Sequence, residues 1–206
     1  MTAFVLARRD DALSARIVRS CALRYRAAAE PGLDRPAFVR AASGLAWVGT
    51  RLAVVQDDAN FVALVDPADG GAVAVPLPAG PGGTRLFDDA RGNKADKLDL
   101  EALVSIPDVA AGARLLVAFG SGSSPRGERV VVCRGLDAPM RDAPHVSLYD
   151  ARVFYAGLRA VTDFAGSELN LEGAAYLGGG RLRLFGRGNG AARDGLQPVS
   201  ATCDVD

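Results

Sequence analysis

A polar-capped hairpin that recurs three times constrains the fold of this chain more than any other feature. Leu98-Asp99-Leu100-Glu101-Ala102 leads to Leu115-Leu116-Val117-Ala118-Phe119-Gly120-Ser121-Gly122-Ser123. Leu169-Asn170-Leu171-Glu172-Gly173 leads in the same way to Leu182-Arg183-Leu184-Phe185-Gly186-Arg187-Gly188-Asn189. A fainter copy runs from Ser43-Gly44-Leu45-Ala46-Trp47 to Leu52-Ala53-Val54-Val55-Gln56-Asp57-Asp58-Ala59-Asn60. Self-similarity at intervals of tens of residues is the sequence signature of a repeat architecture.

The stretch 44–77 predicts one sheet of four strands, because its apolar runs at 44–48, 52–56, 61–65 and 72–77 are separated by turn residues at close intervals. Pro67-Ala68-Asp69-Gly70-Gly71 forms the last turn, with Pro fixing one dihedral and the Gly pair supplying positive φ. Residues 129–133 predict a third strand of the second unit, and Arg181-Leu182-Arg183-Leu184 has the two-residue period of a half-buried strand behind the Gly178-Gly179-Gly180 turn. Four-strand units repeated without long helices between them predict an all-β chain of the β-propeller type, with a β-sandwich as the alternative. The expected organisation of 1–206 is an N-terminal strand segment over 1–42, a blade over 43–80, a second over 98–148, a helical insertion over 149–168 and a partial blade over 169–206. Closure takes at least about four blades, and only three are found. The chain therefore reads as the front part of a longer propeller, with a strand within 14–26 meant to complete a final blade.

One helix is expected over 150–161, where Val153, Phe154, Leu158 and Val161 fall at helical spacing behind Asp150 as N-cap, and it reads as an inserted decoration between blades. Residues 80–97 read as an ordered loop over one face. Trp47 and the few tyrosines sit inside strand patterns and are assigned to the core.

The 206 residues, 49% of them hydrophobic, suffice for one packed core. Twenty-four acidic and twenty-four basic residues leave no net field for collecting nucleic acid or anionic lipid, so neither is an expected partner. Cys21, Cys133 and Cys203 show no CxxC spacing and read as ordinary thiols. The start Met1-Thr2-Ala3-Phe4-Val5-Leu6-Ala7 is too short an apolar run for a secretory signal, and charge, Gly or Pro interrupts every longer one. The cytoplasm is the expected compartment.

Taken together, Ser43-Gly44-Leu45-Ala46, Gln56-Asp57-Asp58-Ala59-Asn60, Asp99-Leu100-Glu101-Ala102-Leu103, Gly120-Ser121-Gly122-Ser123-Ser124 and Asn170-Leu171-Glu172-Gly173-Ala174 resemble an uncharacterised bacterial family similar to the phytase-like, or esterase-like, β-propellers. The resemblance covers residues 43–195 and implies about six blades in the full family. The activity names attached to such propellers are analogy, because fold does not carry function.

In a propeller blade the start of the first strand and the end of the second share one rim. Ser43, Asp99, Glu101, Asn170 and Glu172 open the inner strands, and Gln56, Asp57, Asp58, Asn60, Ser121, Ser123, Arg126, Arg187 and Asn189 follow the second ones, so all are expected at one mouth. Oxygen donors of this kind suit a hard cation, Ca²⁺ first, and Glu101, Glu172, Asp99, Asn170 and Asp57 are the candidate metal ligands. The structural alternative is that these acidic groups only accept hydrogen bonds from nearby backbone, with Asp57 as a turn cap. Ser121, Ser123, Arg126, Arg187, Asn189 and Lys97 are the candidate ligand-binding residues for a small anionic molecule, because the 120–126 segment offers backbone N–H groups beside a guanidinium. A plain tight loop is the alternative there.

No Gly-Lys-Ser/Thr follows that segment, so it is not a P-loop. No GxSxG elbow is present, and His145, the single histidine, neighbours none, which removes serine-hydrolase and multi-histidine metal chemistry. Glu101 and Glu172 on neighbouring blades remain as a pair able to shift each other's pKa. The expected function is a ligand-binding or scaffold propeller holding a divalent cation. The alternatives are a calcium-dependent hydrolase of a phosphorylated or otherwise anionic small molecule, and a degraded copy that self-pairs through an open sheet edge.

Overall fold

A computed structural model describes residues 8–109, 111–137 and 143–206. The apolar start at residues 1–7 lies outside the described residues. Twelve strands among the described residues form three sheets. The first contains β1 (Arg24–Tyr25), β2 (Ala42–Val48), β3 (Arg51–Gln56), β4 (Ala59–Val65) and β5 (Gly71–Pro76), in the order β1-β5-β4-β3-β2. The second is the meander of β6 (Leu100–Asp108), β7 (Ala113–Gly120), β8 (Arg129–Arg134) and β9 (His145–Asp150). Helices α1 (Arg152–Ala160) and α2 (Thr162–Ala165) lead to the third sheet, β10 (Leu171–Gly178), β11 (Arg181–Gly186) and β12 (Ala201–Val205). All pairings are antiparallel except β1 with β5.

The sheets stack face to face, and burial explains their sequence patterns. The second sheet is covered on both sides. Leu103, Leu116, Ala118, Val131 and Cys133 meet Val55, Val62, Leu64 and Val75 of the first sheet. On the opposite side Ala102, Val104, Val117 and Phe119 meet Leu171 and Leu184 of the third. A strand covered on both faces has no polar face to alternate with, which is why 115–119 is an unbroken apolar run. In β11, by contrast, Leu184 is fully buried while Arg181 points to solvent, as the two-residue period requires. Three stacked layers replace the two of a sandwich, and the described residues form no closed ring.

The inner strands β2, β6 and β10 lie side by side around a common hollow of about 530 Å³. β2 and β6 approach so closely that a Cβ on Gly44 would stand 2.9 Å from the Glu101 carbonyl oxygen and the Leu103 nitrogen. Glycine at 44 is what permits that packing.

Four expectations are corrected. The N-terminal strand is only Arg24–Tyr25, and it adds in parallel to the outer edge of the first sheet, whereas 14–23 forms no strand. Trp47 is 56% exposed on the wall of the central hollow, so it is not core, and Tyr149 is also exposed, while Tyr25 and Tyr155 are buried. The helix begins at Arg152 with Ala151 in the N-cap position, and the Asp150 carboxylate, one position earlier than expected, accepts from the first helical N–H, that of Arg152, at 3.1 Å. Its buried face carries Tyr155 and Leu158, while Val153 is 89% exposed. The insertion is therefore no decoration: the Tyr155 hydroxyl donates to the Gly120 carbonyl at 2.7 Å, anchoring α1 between the second and third sheets.

The loop 80–97 is ordered as expected, tied down by buried Leu86 and Phe87. Of the three thiols, Cys133 is buried, Cys21 exposed and Cys203 half-buried. No described helix is long and apolar enough to cross a membrane.

Candidate acidic site at the rim

The three hairpins meet their polar ends at one rim, and each is closed by the same bond. The N–H that follows the second strand donates to the carbonyl that precedes the first: Asp57 to Ala41, Ser121 to Asp99, and Arg187 to Asn170, each at 2.9 Å. The sequence repeat is therefore a structural repeat. A further bond from the Leu171 N–H to the Ser121 carbonyl, at 2.8 Å, ties the second rim segment to the third.

Each first strand also breaks register one step inside that bond, between Ala42 and Leu45, Leu100 and Ala102, and Leu171 and Gly173. Glu101 and Glu172 occupy these irregularities. A bulge re-aims a side chain out of the ladder's alternation, and here it delivers a glutamate to the rim from two successive sheets. Asp99 adds a left-handed backbone, φ 56°, directly before β6.

One carboxylate oxygen from each of Asp57, Asp99 and Glu101 lies within 4.8 Å of the others. Glu172 stands close enough for its charge to act on Glu101. Two cations stand among these groups. Lys97 Nζ pairs with Asp99 Oδ1 at 2.6 Å and also with Asp57, and Arg187 pairs with Glu172 at 3.0 Å. Four carboxyl groups thus share two cations.

The consequences for protonation differ around the cluster. Burial alone raises Asp99, but hydrogen bonds from Lys97 and Ser121 outweigh it and hold the carboxyl below its usual range. Asp57 is raised, by burial and by the neighbouring Asp99, against the pull of Lys97. Glu101 is pushed up to about 7 by burial first and then by the charges of Asp57, Glu172 and Asp99. Lys97 is raised, because its two carboxylate partners outweigh its burial.

The expected metal ligands thus come together, with Asn170 in a supporting place: its amide donates to Glu172 Oε1 at 2.8 Å. The expected anion ligands divide. Ser121 and Ser123 join the cluster, since both hydroxyls bond Asp99 Oδ2, Ser123 at 3.3 Å, and they bond each other at 2.8 Å. Lys97 and Arg187 are already paired with carboxylates. Arg126 pairs with Asp96 at 3.3 Å, and exposed Asn189 bonds none of the cluster residues. The N–H groups of Gly122, Ser123 and Gly127 bond within their own loop, which is the plain tight loop of the structural alternative. Gln56 and Asn60 are buried and bond Tyr25, Phe61 and Pro78, so they serve the first sheet; Asp58 pairs with Arg40 at 2.9 Å. The Ser43 hydroxyl donates to the carbonyl of Ala41. His145 is exposed on β9 beside Ser147.

Sequence reasoning missed Lys97 as the counter-ion of the cluster. The signal was the nearness of Lys97 and Asp99 at the head of the second hairpin.

Three stacked all-β sheets joined at an acidic rim define the class of domain. The chain matches the family of unknown function DUF6929 over residues 38–202 and belongs to it. That match takes in every rim residue. No curated protein matches the chain.

Proposed function

We propose that this domain is a propeller-type ligand-binding module whose axial rim takes up a divalent cation, Ca²⁺ in the first instance, on Asp57, Asp99 and Glu101 with Glu172 beside them. The observation that carries the reading is the 4.8 Å limit among three carboxylate oxygens delivered by two sheets. Ligands on opposite sides of a Ca²⁺ ion, each at about 2.3–2.6 Å, stand about 5 Å apart, so one ion spans this cluster. Its charge supports the same reading: with four carboxyls to two cations, Glu101 keeps a proton near neutral pH that a metal would replace. Ser121 and Ser123 would orient Asp99 from behind. Lys97 is the resident cation that the metal displaces.

Calorimetric titration of Ca²⁺ into the intact protein at pH 7.5 tests this. Binding is expected in the wild type and its loss in Asp57→Asn with Glu101→Gln, with Mg²⁺ as comparison. No heat of binding in the wild type contradicts it.

Hydrolysis of a phosphorylated or otherwise anionic small molecule is the second reading, favoured by Glu101 alone. A carboxyl titrating at about 7 suits general acid–base work at neutral pH. It ranks second because Lys97 and Arg187 are paired with carboxylates and Arg126 with Asp96. A phosphatase screen with and without chelator checks it: turnover is to vanish in Glu101→Gln, and absence of any turnover rules it out.

A further inference from the structure

We propose that the cavity between α2, the 187–199 loop and the Gly122–Ser123 turn binds a small zwitterion of the amino-acid class. The cavity is about 360 Å³, within the size range of small-molecule sites, and Ser123, Arg159, Ser167, Glu168, Arg193 and Asp194 line it. It is separate from the carboxylate cluster, although Ser123 borders both.

Charges of both signs stand here without satisfying one another. Arg193, Glu168 and Asp194 form no ion pair with one another or with any other described residue. Arg159 is neutralised, donating to Glu128 at 2.6 Å and to the Gly122 carbonyl at 2.7 Å. A guanidinium without an ion pair calls for a carboxylate, and two carboxylates without one call for an ammonium. One molecule carrying a carboxylate and an ammonium on adjacent atoms answers both. An inorganic anion would satisfy Arg193 while adding repulsion from Glu168 and Asp194.

The walls are preformed, which limits the ordering cost of binding. Asp194 and Gly195, φ 51° and 79°, make a two-residue turn of mirror-image type closed by reciprocal bonds between Arg193 and Leu196 at 3.0 and 2.9 Å. The Ser167 N–H donates to the Gln197 carbonyl at 2.9 Å. Gly190 leaves room for Glu168, since a Cβ there would collide with its Oε2.

Equilibrium dialysis of the full chain against glycine, L-alanine and L-glutamate tests the proposal, with acetate and methylammonium as half-ligands. At least one amino acid is expected to bind, and both half-ligands are expected to bind about tenfold or more weakly. Arg193→Ala and Glu168→Gln are each expected to weaken the amino acid by about ten- to a hundredfold while leaving the melting temperature and Ca²⁺ binding unchanged. The proposal is overturned if no amino acid binds at about 10 mM, if acetate binds as well as the best amino acid, or if neither substitution weakens binding. Because Ca²⁺ binding is measured separately, failure here is distinguishable from failure of the rim reading.

Discussion

Glu101 and Glu172 occupy the same irregularity in successive hairpins but meet different neighbours. Arg187 and Asn170 hold Glu172, whereas Glu101 faces Asp57 and Asp99 and is driven up to about 7. A carboxyl raised above the ordinary 4.5 keeps a proton that the unfolded chain releases, so it costs stability as pH climbs from 4.5 through 7. Glu101→Gln is therefore expected to melt like the wild type near pH 4.5 and above it at pH 8. Discounted for partial exposure to about 1 kcal/mol, the difference is about 2–4 °C. Thermal melts across that range check it, and a gap that narrows with rising pH contradicts the assigned burial. Lys97 provides the complementary test. Its ammonium is largely buried between two carboxylates, and breaking such a pair costs on the order of 3 kcal/mol. Lys97→Met should lose about that much in urea denaturation and recover most of it in millimolar Ca²⁺, whereas the same loss with and without Ca²⁺ removes Lys97 as the metal's stand-in.

Elements were legible where burial imposes a period. The strands of the first sheet fall within a few residues of their apolar runs, and the Arg181–Leu184 alternation marks a strand covered on one side only. The helix was legible as a helix but not in phase. Val153 and Val161 fit the spacing as well as Tyr155 does, and only the Gly120 carbonyl, 35 positions away, decides which face turns inward. Trp47 misled for a related reason: β2 lines a hollow, so an apolar residue in a strand there meets open space. The rim glutamates were visible as a repeat, while the bulges that aim them depend on pairing across the hairpin. Two changes test the elements. Tyr155→Phe leaves the Gly120 carbonyl short of a partner and should cost about 1 kcal/mol in chemical denaturation. Gly44→Ala forces β2 from β6 and should cost about 1–3 kcal/mol; a neutral Gly44→Ala would mean that the inner strands are not in that close contact.

At the scale of the whole molecule, the rim exists only because three sheets stack with their inner strands together, so fold and site stand or fall as one. The outer strand β12 pairs on one side only among the described residues, and an unpaired edge is a template for a second chain. Concentration-dependent association in sedimentation velocity is the expected behaviour, and a single species across a hundredfold range of concentration, on the order of tens of nanomolar to micromolar, contradicts it. The most direct test of the central claim is the affinity for Ca²⁺ measured as a function of pH from 5.5 to 8.5. If carboxylates from successive sheets share one ion, binding tightens as pH rises through about 7 and releases the proton held by Glu101. Affinity that is absent, or flat across that range, contradicts the account.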